Sequence, residues 1–314
     1  MKRLFVLLLM PLLFSCGSVS DKSQETSFRL LYWNIQNGMW DGQGDNYDRF
    51  VNWVKSKDPD VCVWCEARSI YYTGTNTRMK EDEKYLVSAW PELAGRYGHR
   101  YIYVCGMRDN YPQVITSKTP IHGIKRILGD ENDVIVAHGA GWGTITVHGR
   151  TLNLVTFHAW PHAWAYQAED KEQSKAENGG DTYRAREVAY VCNETIGSQK
   201  DGNWLMMGDF NSISRSDNAL YGLPSDSPKF QAQDYICEKT AYVDIIKHLF
   251  PDEVIVSTWI NTRYDYVFCT QDLLPHIKNA EIIKDEYTTP VKDEKISSFA
   301  HPSDHLPIIV DFEL

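Results

Sequence analysis

The 314-residue sequence lacks an internal linker: beyond residue 27 it has no Pro/Gly/Ser-rich stretch, no repeat and no low-complexity run. A stretch of about 290 residues without such a boundary favours one large α/β domain over two ordinary ones. The sequence is also short of cations, with 32 lysines and arginines against 42 aspartates and glutamates. Because nonspecific nucleic-acid binding relies on cations that neutralise phosphates, this balance disfavours a protein that holds long polyanions. It says little about small phosphoesters.

The apolar run near the N-terminus, Leu4–Phe14, is too short to span a bilayer. It has the length of a signal-peptide core and follows Lys2 and Arg3, as the core of a signal peptide does. The run ends in Leu13–Cys16, which resembles a bacterial lipobox with Cys16 as the acylated residue. A plain secretory signal with an incidental cysteine is the alternative interpretation.

These features predict three segments. Residues 1–15 are the signal peptide, residues 16–27 the lipidated cysteine with a small, polar tether, and residues 28–314 the folded domain. The expected location is the cell envelope, on its periplasmic or outer-surface face, with the lipid anchor as the only membrane contact. Loss of the signal peptide removes Lys2 and Arg3 and so changes the formal net charge from −10 to −12.

The cysteines offer no strong metal or redox site. Cys62-x-x-Cys65 has the spacing of a zinc or redox motif. However, Asp60–Cys65 is typical of a β-strand, on which positions three apart face opposite sides. Without a turn between them, two such side chains cannot share a tetrahedral metal. Buried structural thiols are the favoured interpretation for the cysteines beyond Cys16, although an exported protein can pair some of them.

Apolar runs of four to eight residues, rich in β-branched and aromatic side chains, recur along the domain and predict strands. They are Phe28–Ile35, Val61–Cys65, Tyr101–Cys105, Val114–Ser117, Val134–Ala137, Gly143–Val147, Leu152–Phe157, Trp204–Met207, Tyr266–Thr270 and Ile308–Phe312. Helical patterns interrupt them at Tyr47–Lys55, Glu81–Ala94, Tyr183–Ile196 and Tyr242–Phe250. This mixture predicts two mixed sheets packed together and flanked by helices. The longest stretch with neither pattern, Trp160–Asp181, is predicted to be a partly ordered rim loop.

Polar side chains follow several of these apolar runs. Asp209 and Asn211 lie two apart after a run, so they point the same way if the strand persists. Glu66 follows an uncharged run, and Asn34 lies near the end of the first one. Each has an ordinary alternative, because Gly-Asp-x-Asn and Asn form common turns and a carboxylate at a strand end can simply be exposed. Side chains at strand ends can nevertheless converge on one rim and build one site.

Two histidines stand close to such ends. His305 follows Asp304, and His158 follows the run that ends at Phe157. A histidine held by one carboxylate can act as a general base or stabilise developing phosphoryl charge. Two histidines with carboxylates suit in-line attack on phosphorus, where positioning and charge stabilisation dominate. Each histidine alone is more often structural or exposed.

In chain order, these segments resemble the endonuclease/exonuclease/phosphatase superfamily, which has the deoxyribonuclease-I-like fold. The resemblance runs from Phe28 to Leu314, and its most specific parts are Trp33–Asn37, Gly208–Asn211, Arg263–Tyr266 and Ser303–His305. It implies a four-layer sandwich of two packed mixed sheets flanked by helices. It also implies a divalent-metal-dependent hydrolase of phosphoester bonds.

The resemblance further implies roles for individual residues. Glu66 is expected to be the principal ligand of Mg²⁺ or Mn²⁺, with Ca²⁺ possible, and Asn34 and Asp304 are expected close to the metal. Asp209 and Asn211 are expected to position the water and the phosphate. The remaining catalytic residues are expected to be an Asp265–His305 pair and His158 at the scissile group.

The segments expected to set substrate specificity depart from the superfamily pattern. Asn110–Gln113 stands where glycine and small apolar residues are common, and Ala159–Trp164 follows His158 where His-Leu is common. Trp160 and His162 are predicted to contact substrate, as is Lys118 in a weaker echo of the superfamily's Ser-Arg/Lys-x-Pro-Ile segment. Trp160 and its aromatic neighbours either stack on a base or sugar or staple the loop to the core.

The substrate class therefore stays open between a nucleic acid, a nucleotide, a sugar or inositol phosphate and a phospholipid headgroup, as in a sphingomyelinase. The acidic charge disfavours long DNA without excluding nucleic acid. A non-catalytic binding protein on the same scaffold is the alternative from a different class, and it predicts the loss of at least one site residue. No obligate protein partner is indicated.

Overall fold

The computed structural model describes residues 26–39, 43–72, 75–294, 296 and 298–314. The predicted signal peptide, Cys16 and nearly all of the tether lie outside the described residues. Among the helices of the described residues, none combines the length and the apolar character needed to cross a membrane.

Fourteen strands run through the described part of the chain. In chain order they are β1 (Ser27–Asn34), β2 (Val61–Cys65), β3 (Tyr101–Val104), β4 (Val114–Ser117), β5 (His122–Gly129), β6 (Ile135–Val147), β7 (Arg150–His158), β8 (Trp204–Asp209), β9 (Val243–Asp244), β10 (Asp265–Cys269), β11 (Ile277–Ile282), β12 (Val291–Lys292), β13 (Ala300–His301) and β14 (Ile308–Glu313).

The α-helices between them are α1 (Gln36–Met39), α2 (Asp48–Lys57), α3 (Trp90–Arg96), α4 (Lys171–Ala176), α5 (Gly179–Glu194), α6 (Asn218–Tyr221), α7 (Gln231–Lys239) and α8 (Ile245–Leu249). Short 3₁₀ turns lie at Gln43–Asp45, Glu81–Glu83, Arg215–Asp217, Pro228–Phe230 and Leu274–His276.

Two six-stranded sheets form the centre of the protein. The first has the order β11-β14-β1-β2-β4-β3, and the second has the order β5-β6-β7-β8-β10-β9. Each sheet is antiparallel except for one central parallel pair, β1 with β2 and β7 with β8. The prediction of two mixed sheets is therefore confirmed. The C-terminal ends of the four parallel strands carry the polar residues of interest.

Three apolar layers separate the sheets and helices. Residues such as Leu30, Val63 and Met207 fill the space between the two sheets. The opposite face of the first sheet packs on α2 and α3, and the opposite face of the second packs on α5 and α7. The order of layers is thus helix, sheet, sheet, helix, as the sequence resemblance implies.

The cysteines follow the alternation expected of strands. Cys62 packs on the helix-facing side of β2, whereas Cys65 packs between the sheets. No disulfide joins any of the six cysteines in the described part of the chain, and all of them except Cys237 are buried. The Cys-x-x-Cys spacing therefore builds no metal site.

Four element predictions were wrong. Val134–Ala137 and Gly143–Val147, expected as two strands, belong, apart from Val134, to one continuous strand, β6. The expected rim loop Trp160–Asp181 contains α4, whose N-cap Asp170 accepts a hydrogen bond from Gln173 N, and the start of α5. The expected helix Glu81–Ala94 is a short 3₁₀ turn followed by α3, which has a proline in its first turn. The expected helix Tyr242–Phe250 begins instead as strand β9 and turns helical after Asp244, whose side chain caps α8. In each case local capping or strand pairing outweighs periodicity.

An aromatic cluster should carry much of the stability of the first helix–sheet layer. Phe50 of α2 is 1% exposed, and its ring lies 5.1–6.5 Å from the rings of three tryptophans and two tyrosines. We expect Phe50→Ala to lower the free energy of unfolding by about 3–5 kcal/mol. Ile124→Ala is the control, because Ile124 is 57% exposed, and its free energy of unfolding should lie within about 0.5 kcal/mol of the parent value. Urea unfolding measures both variants. Equal losses in the two variants would contradict this account of the layer.

Candidate active site

The four parallel strands end at one edge of the sandwich, and a polar side chain stands at each end. β1 ends on Asn34, Glu66 follows β2, and β7 and β8 end on His158 and Asp209. His158 pairs with Asp209 in the parallel register, and Asp265 at the start of β10 pairs with Asp209 in the antiparallel one. Strand pairing aligns these residues within each sheet, and the packing of the two sheets brings both sets to a common edge.

Asn34 joins the two sheets at this edge. Its Nδ2 donates to Asp209 Oδ2 at 3.1 Å and to Glu66 Oε1 at 3.3 Å. Its Oδ1 accepts from the backbone N–H of Gln36 at 3.0 Å. The amide is fully buried, so these contacts hold two carboxylates of different sheets beside one another.

The backbone around Glu66 is held in an uncommon conformation. Glu66 has φ +54°, and the turn after β1 also has positive φ at Gln36, Asn37 and Met39. Asn37 N donates to Glu66 Oε2 at 3.0 Å, and Gly38 N donates to Glu66 O at 2.7 Å. Positive φ is unfavourable for a residue such as Glu and persists only where surrounding contacts determine it. The two strand ends therefore lock the Glu66 side chain in one place.

The C-terminal segment is tied to the end of β1. Ser303 Oγ donates to Asn34 O at 2.6 Å, and His305 N donates to Ser303 Oγ at 3.1 Å. Trp33 Nε1 donates to His305 O at 2.9 Å. Asp304 and His305, which lie 270 residues from Asn34 in the sequence, are thus brought to the same edge.

His305 and Asp265 form a buried pair. His305 Nδ1 lies 2.8 Å from Asp265 Oδ2, and because the carboxylate accepts, Nδ1 donates. Asp265 also accepts from Tyr32 Oη at 2.8 Å and from Ser257 Oγ at 2.7 Å. The other ring nitrogen, His305 Nε2, faces Asp209 Oδ2 at 3.7 Å and Asp304 Oδ1 at 3.8 Å.

The electrostatics of this pair follow from burial and charge. Burial by itself lowers the pKa of His305, but Asp265, Asp304 and Asp209 together raise it well above 6.5, so the imidazolium is favoured. Burial raises the pKa of Asp209 to about 7 and that of Asp304 to about 6. A bound divalent cation would lower the pKa of any carboxylate it touched, because it favours the charged form.

His158 lies on the other side of Asp209 from His305, and the pKa of its imidazole is shifted in the opposite direction. Its Nε2 is 3.9 Å from Glu66 Oε1 and 3.8 Å from Asp209 Oδ2. Burial, with the neighbouring imidazoles of His138 and His305, lowers the pKa of His158 well below 6.5. The site thus pairs one cationic imidazole with one neutral imidazole on either side of Asp209.

The donor set fits a divalent cation. Ligand atoms of Glu66, His158 and Asp209 all lie within 4.8 Å of one another. Asn37 Oδ1, next to the Glu66 contact, is buried and has no hydrogen-bond partner among the described residues. A second group with similar spacing, Asp209 with the Asp265–His305 pair, suits hydrogen bonding better, because both Asp265 oxygens already accept hydrogen bonds. Carboxylate and amide oxygens are the ligands that Mg²⁺ and Mn²⁺ prefer.

Asn211 lies beside Asp209, as the spacing predicts, but through a turn. Its backbone φ is +46°, its N–H donates to Asp209 Oδ1 at 2.9 Å, and its Nδ2 donates to Ala159 O at 3.1 Å. The strand does not persist, so the two side chains are adjacent because of an Asx turn and not because of β alternation.

The Trp160 segment is fastened to the rim of the site. Trp160 Nε1 donates to Trp164 O at 2.6 Å, and buried Arg184 donates to the carbonyl oxygens of Trp160 and His162 at 2.9 Å each. The His162 ring stacks on Trp164 with centroids 4.3 Å apart. These contacts favour the interpretation in which Trp160 holds its loop against the core of the protein. His162 remains exposed on the rim.

Lys118 lies away from this edge, so its contact with substrate stays a prediction. Its Nζ lies 2.8 Å from Asp58 Oδ1 and 3.1 Å from Asp60 Oδ1, beside the start of β2. Glu66 follows the other end of the same strand. Because β4 is antiparallel to β2, its last residues lie at the opposite end of the sheet.

Several residues around the site were missed in the sequence. Tyr32 lies two positions before Asn34 on the same face of β1, so strand alternation could have found it. Ser257, His138 and Asp109 carry no sequence signal, since only the packing of distant segments brings them to the site.

No protein-family model and no curated protein matches the sequence. Solved structures do match the fold. An AP endonuclease from Archaeoglobus fulgidus has a TM-score of 0.60 at 15% identity, over 91% of this chain and 100% of that one. A 3′-5′ exonuclease (NExo) from Neisseria meningitidis has a TM-score of 0.59 at 15% identity, with the same coverage. TDP2 from D. rerio, complexed with single strand DNA product, has a TM-score of 0.54 at 15% identity, over 92% and 99%. The chain has the deoxyribonuclease-I-like fold.

Glu66 should dominate metal binding at this edge. Glu66→Gln keeps the size of the side chain and removes the charge that a hard cation needs, so Mn²⁺ affinity should fall at least about tenfold, the lower end of what losing even an outer-shell partner costs. Calorimetric titration of Mn²⁺ into both proteins measures this. Glu172→Gln, at an exposed residue of α4, is the matched control and should bind as the parent does. Unchanged affinity in Glu66→Gln would remove Glu66 from the metal site.

Proposed function

We propose that this protein is a divalent-metal-dependent hydrolase of phosphoester bonds. The observation that carries the proposal is the convergence of Glu66, Asp209, His158 and the Asp265–His305 pair at one edge of the sandwich. The set has oxygen ligands for a cation, a carboxylate that can take a proton, and an imidazolium that can stabilise negative charge. A binding protein without catalysis would not need all three.

The named structural neighbours support the same class. They are an AP endonuclease, a 3′-5′ exonuclease (NExo), and TDP2 complexed with single strand DNA product; a further similar structure is of 3′ phosphatase NExo bound to product DNA hairpin. At 15% identity this likeness supports the scaffold, and the activity of this chain rests on its own site residues.

Each residue of the candidate active site has its own role in the proposed reaction. Glu66, with Asn34 and Asp304 nearby, would hold the cation, which when bound supplies Lewis-acid stabilisation of phosphoryl oxygens. Asp209 accepts a proton from the attacking water, a role that burial favours because it raises the pKa of this carboxyl. His305, kept cationic by Asp265, stabilises charge that develops on phosphorus oxygens. The neutral imidazole of His158 directs its Nε2 toward Glu66 and Asp209.

The charge of the protein favours small phosphoesters over long DNA. With a formal net charge of −10, nonspecific attraction to a polyanion is weak. Nucleotides, sugar or inositol phosphates and lipid headgroups remain in the proposed class. Nucleic acid is kept as a less favoured substrate.

A substrate panel tests this proposal. Purified protein would be assayed with Mg²⁺, Mn²⁺ or Ca²⁺ on bis-p-nitrophenyl phosphate, p-nitrophenyl phosphate, plasmid DNA, RNA and sphingomyelin. We expect turnover of at least one substrate with Mg²⁺ or Mn²⁺ and none after chelation. Binding of a phosphoester without any turnover would favour the non-catalytic alternative. Turnover that survives chelation would refute metal dependence.

His305 and Asp265 should act as one unit. His305→Ala and Asp265→Asn should each lower kcat, and the double variant should be no slower than the worse single variant, because both remove the same interaction. Steady-state kinetics of the three proteins measures the coupling. Asp58→Asn, at the far end of the sheet, should combine with His305→Ala multiplicatively. Full multiplication of the His305 and Asp265 defects would mean that they act separately.

We also propose that the enzyme is exported and lipid-anchored through Cys16, on the strength of the Leu13–Cys16 pattern. Cys16→Ser should then be retained as uncleaved precursor or mislocalised, whereas a protein starting at Ser27 should be soluble and fully active. Cell fractionation that follows phosphoesterase activity checks both forms. Parent activity found wholly in the soluble fraction, with cleavage away from Cys16, would overturn the anchor and leave the catalytic proposal intact.

A further inference from the structure

A second buried histidine stands behind the site. His138 of β6 is 2% exposed, and its Nδ1 lies 2.6 Å from Asp109 Oδ2. Because the carboxylate accepts, Nδ1 of His138 donates, which orients the ring. That ring packs on His158 with centroids 4.3 Å apart and planes inclined by 30°. Asp109 therefore orients a side chain that lies directly against a residue of the proposed active site.

His158 has little else to fix its orientation. Its Nδ1 is buried and makes no well-formed hydrogen bond among the described residues, although the backbone of Tyr111 lies close enough to the ring to act against the lowering of its pKa. Its Nε2 is 3.8–3.9 Å from the nearest carboxylate oxygens, which is beyond hydrogen-bond distance. Active-site histidines are usually oriented by a hydrogen bond from the ring nitrogen that faces away from the chemistry. The close packing of the His138 ring therefore adds to the weak contact with the Tyr111 backbone.

Two further aromatic rings pack near His138 and His158, and both come from segments where the sequence departs from the superfamily pattern. Tyr111 lies edge-on to His138 at 5.0 Å and to His158 at 6.3 Å, and Trp160 lies 5.9 Å from His138. His138 is the central ring of this group and the one in closest contact with His158.

We propose that His138, held by Asp109, is a positioning residue that fixes the ring orientation of His158. The orientation itself follows from the packing, and its effect on turnover rests on the proposed function. Asp109 acts on His138, and His138 acts on His158, so neither residue needs to touch the substrate.

Kinetics gives the first test. His138→Ala should lower kcat about tenfold to hundredfold, as loss of a supporting residue behind an active-site histidine does, with KM nearly unchanged. His138→Phe keeps a ring against His158 and should recover part of the loss. Asp109→Asn, which keeps a weaker acceptor, should fall between the parent and His138→Ala.

The matched control is another buried histidine. His99 is fully buried, with its ring nitrogens 2.9 Å from Thr116 Oγ1 and 2.8 Å from Pro59 O, at the far end of the first sheet. His99→Ala should lower the unfolding temperature without lowering kcat. A kcat loss in His138→Ala no larger than that in His99→Ala would overturn the proposal.

A second readout needs no catalysis. Long-range ¹H–¹⁵N NMR spectra of the histidine rings, assigned with a His158 variant, should show one sharp set for His158 in the parent. These His158 signals should be broadened or doubled in His138→Ala and unchanged in His99→Ala. Unaltered His158 signals in His138→Ala would refute the positioning role. A parent that hydrolyses no phosphoester would instead remove the proposed function, and the spectra would still decide the role of His138.

Discussion

The buried carboxylate of Asp265 ties the two sheets together. Asp265 begins β10 of the second sheet, and its oxygens accept from Tyr32 of β1 in the first sheet, from Ser257 and from His305. A fully buried carboxylate is costly unless its oxygens are satisfied, so three donors from separate parts of the chain have to meet there. The relative placement of the sheets, the course of the segment before β14 and the orientation of His305 all depend on this one group.

A second buried charge anchors the approach to Asp265. Arg263 is fully buried, and its guanidinium contacts Asp217 Oδ2 at 3.1 Å and Asp244 Oδ1 at 2.7 Å. Lys247 also contacts Asp217, at 3.0 Å. Breaking one partner of such a network leaves an uncompensated charge, which is strongly destabilising. Arg263 and Lys247 are therefore engaged in structural ion pairs, and the neighbouring site is rich in carboxylates, which suits the binding of a cation.

Two histidine–aspartate pairs of similar geometry, His305–Asp265 and His138–Asp109, flank the candidate active site. In both, Nδ1 of the histidine donates to an aspartate oxygen, at 2.8 Å for His305 and 2.6 Å for His138. The His305 pair presents Nε2 to Asp209, whereas the His138 pair packs its ring on His158. The same local chemistry thus supports a direct contribution in one pair and an orienting one in the other.

Residues of the candidate site could be predicted from the sequence only where a polar or ionisable side chain lies at the end of an apolar run. Asn34, Glu66, His158 and Asp209 have this placement: parallel pairing sets them side by side within each sheet, and the packing of the two sheets brings the two pairs together. The α/β sandwich was predictable for the same reason, since short continuous apolar runs rich in β-branched residues indicate strands that are buried on both faces. The helices that failed, such as Glu81–Ala94, failed because capping and strand pairing depend on neighbours that periodicity does not record.

What the sequence by itself determined was therefore the strand pattern, the fold class and the residue types at the strand ends. Only the tertiary structure decided that Lys118 lies at the opposite end of its sheet, because the antiparallel direction of β4 is a matter of pairing. It also decided that Asp109 and His138 stand behind His158. Those contacts join segments 20 or more residues apart through side-chain packing, and no local pattern encodes a contact whose partners are chosen by the folded core.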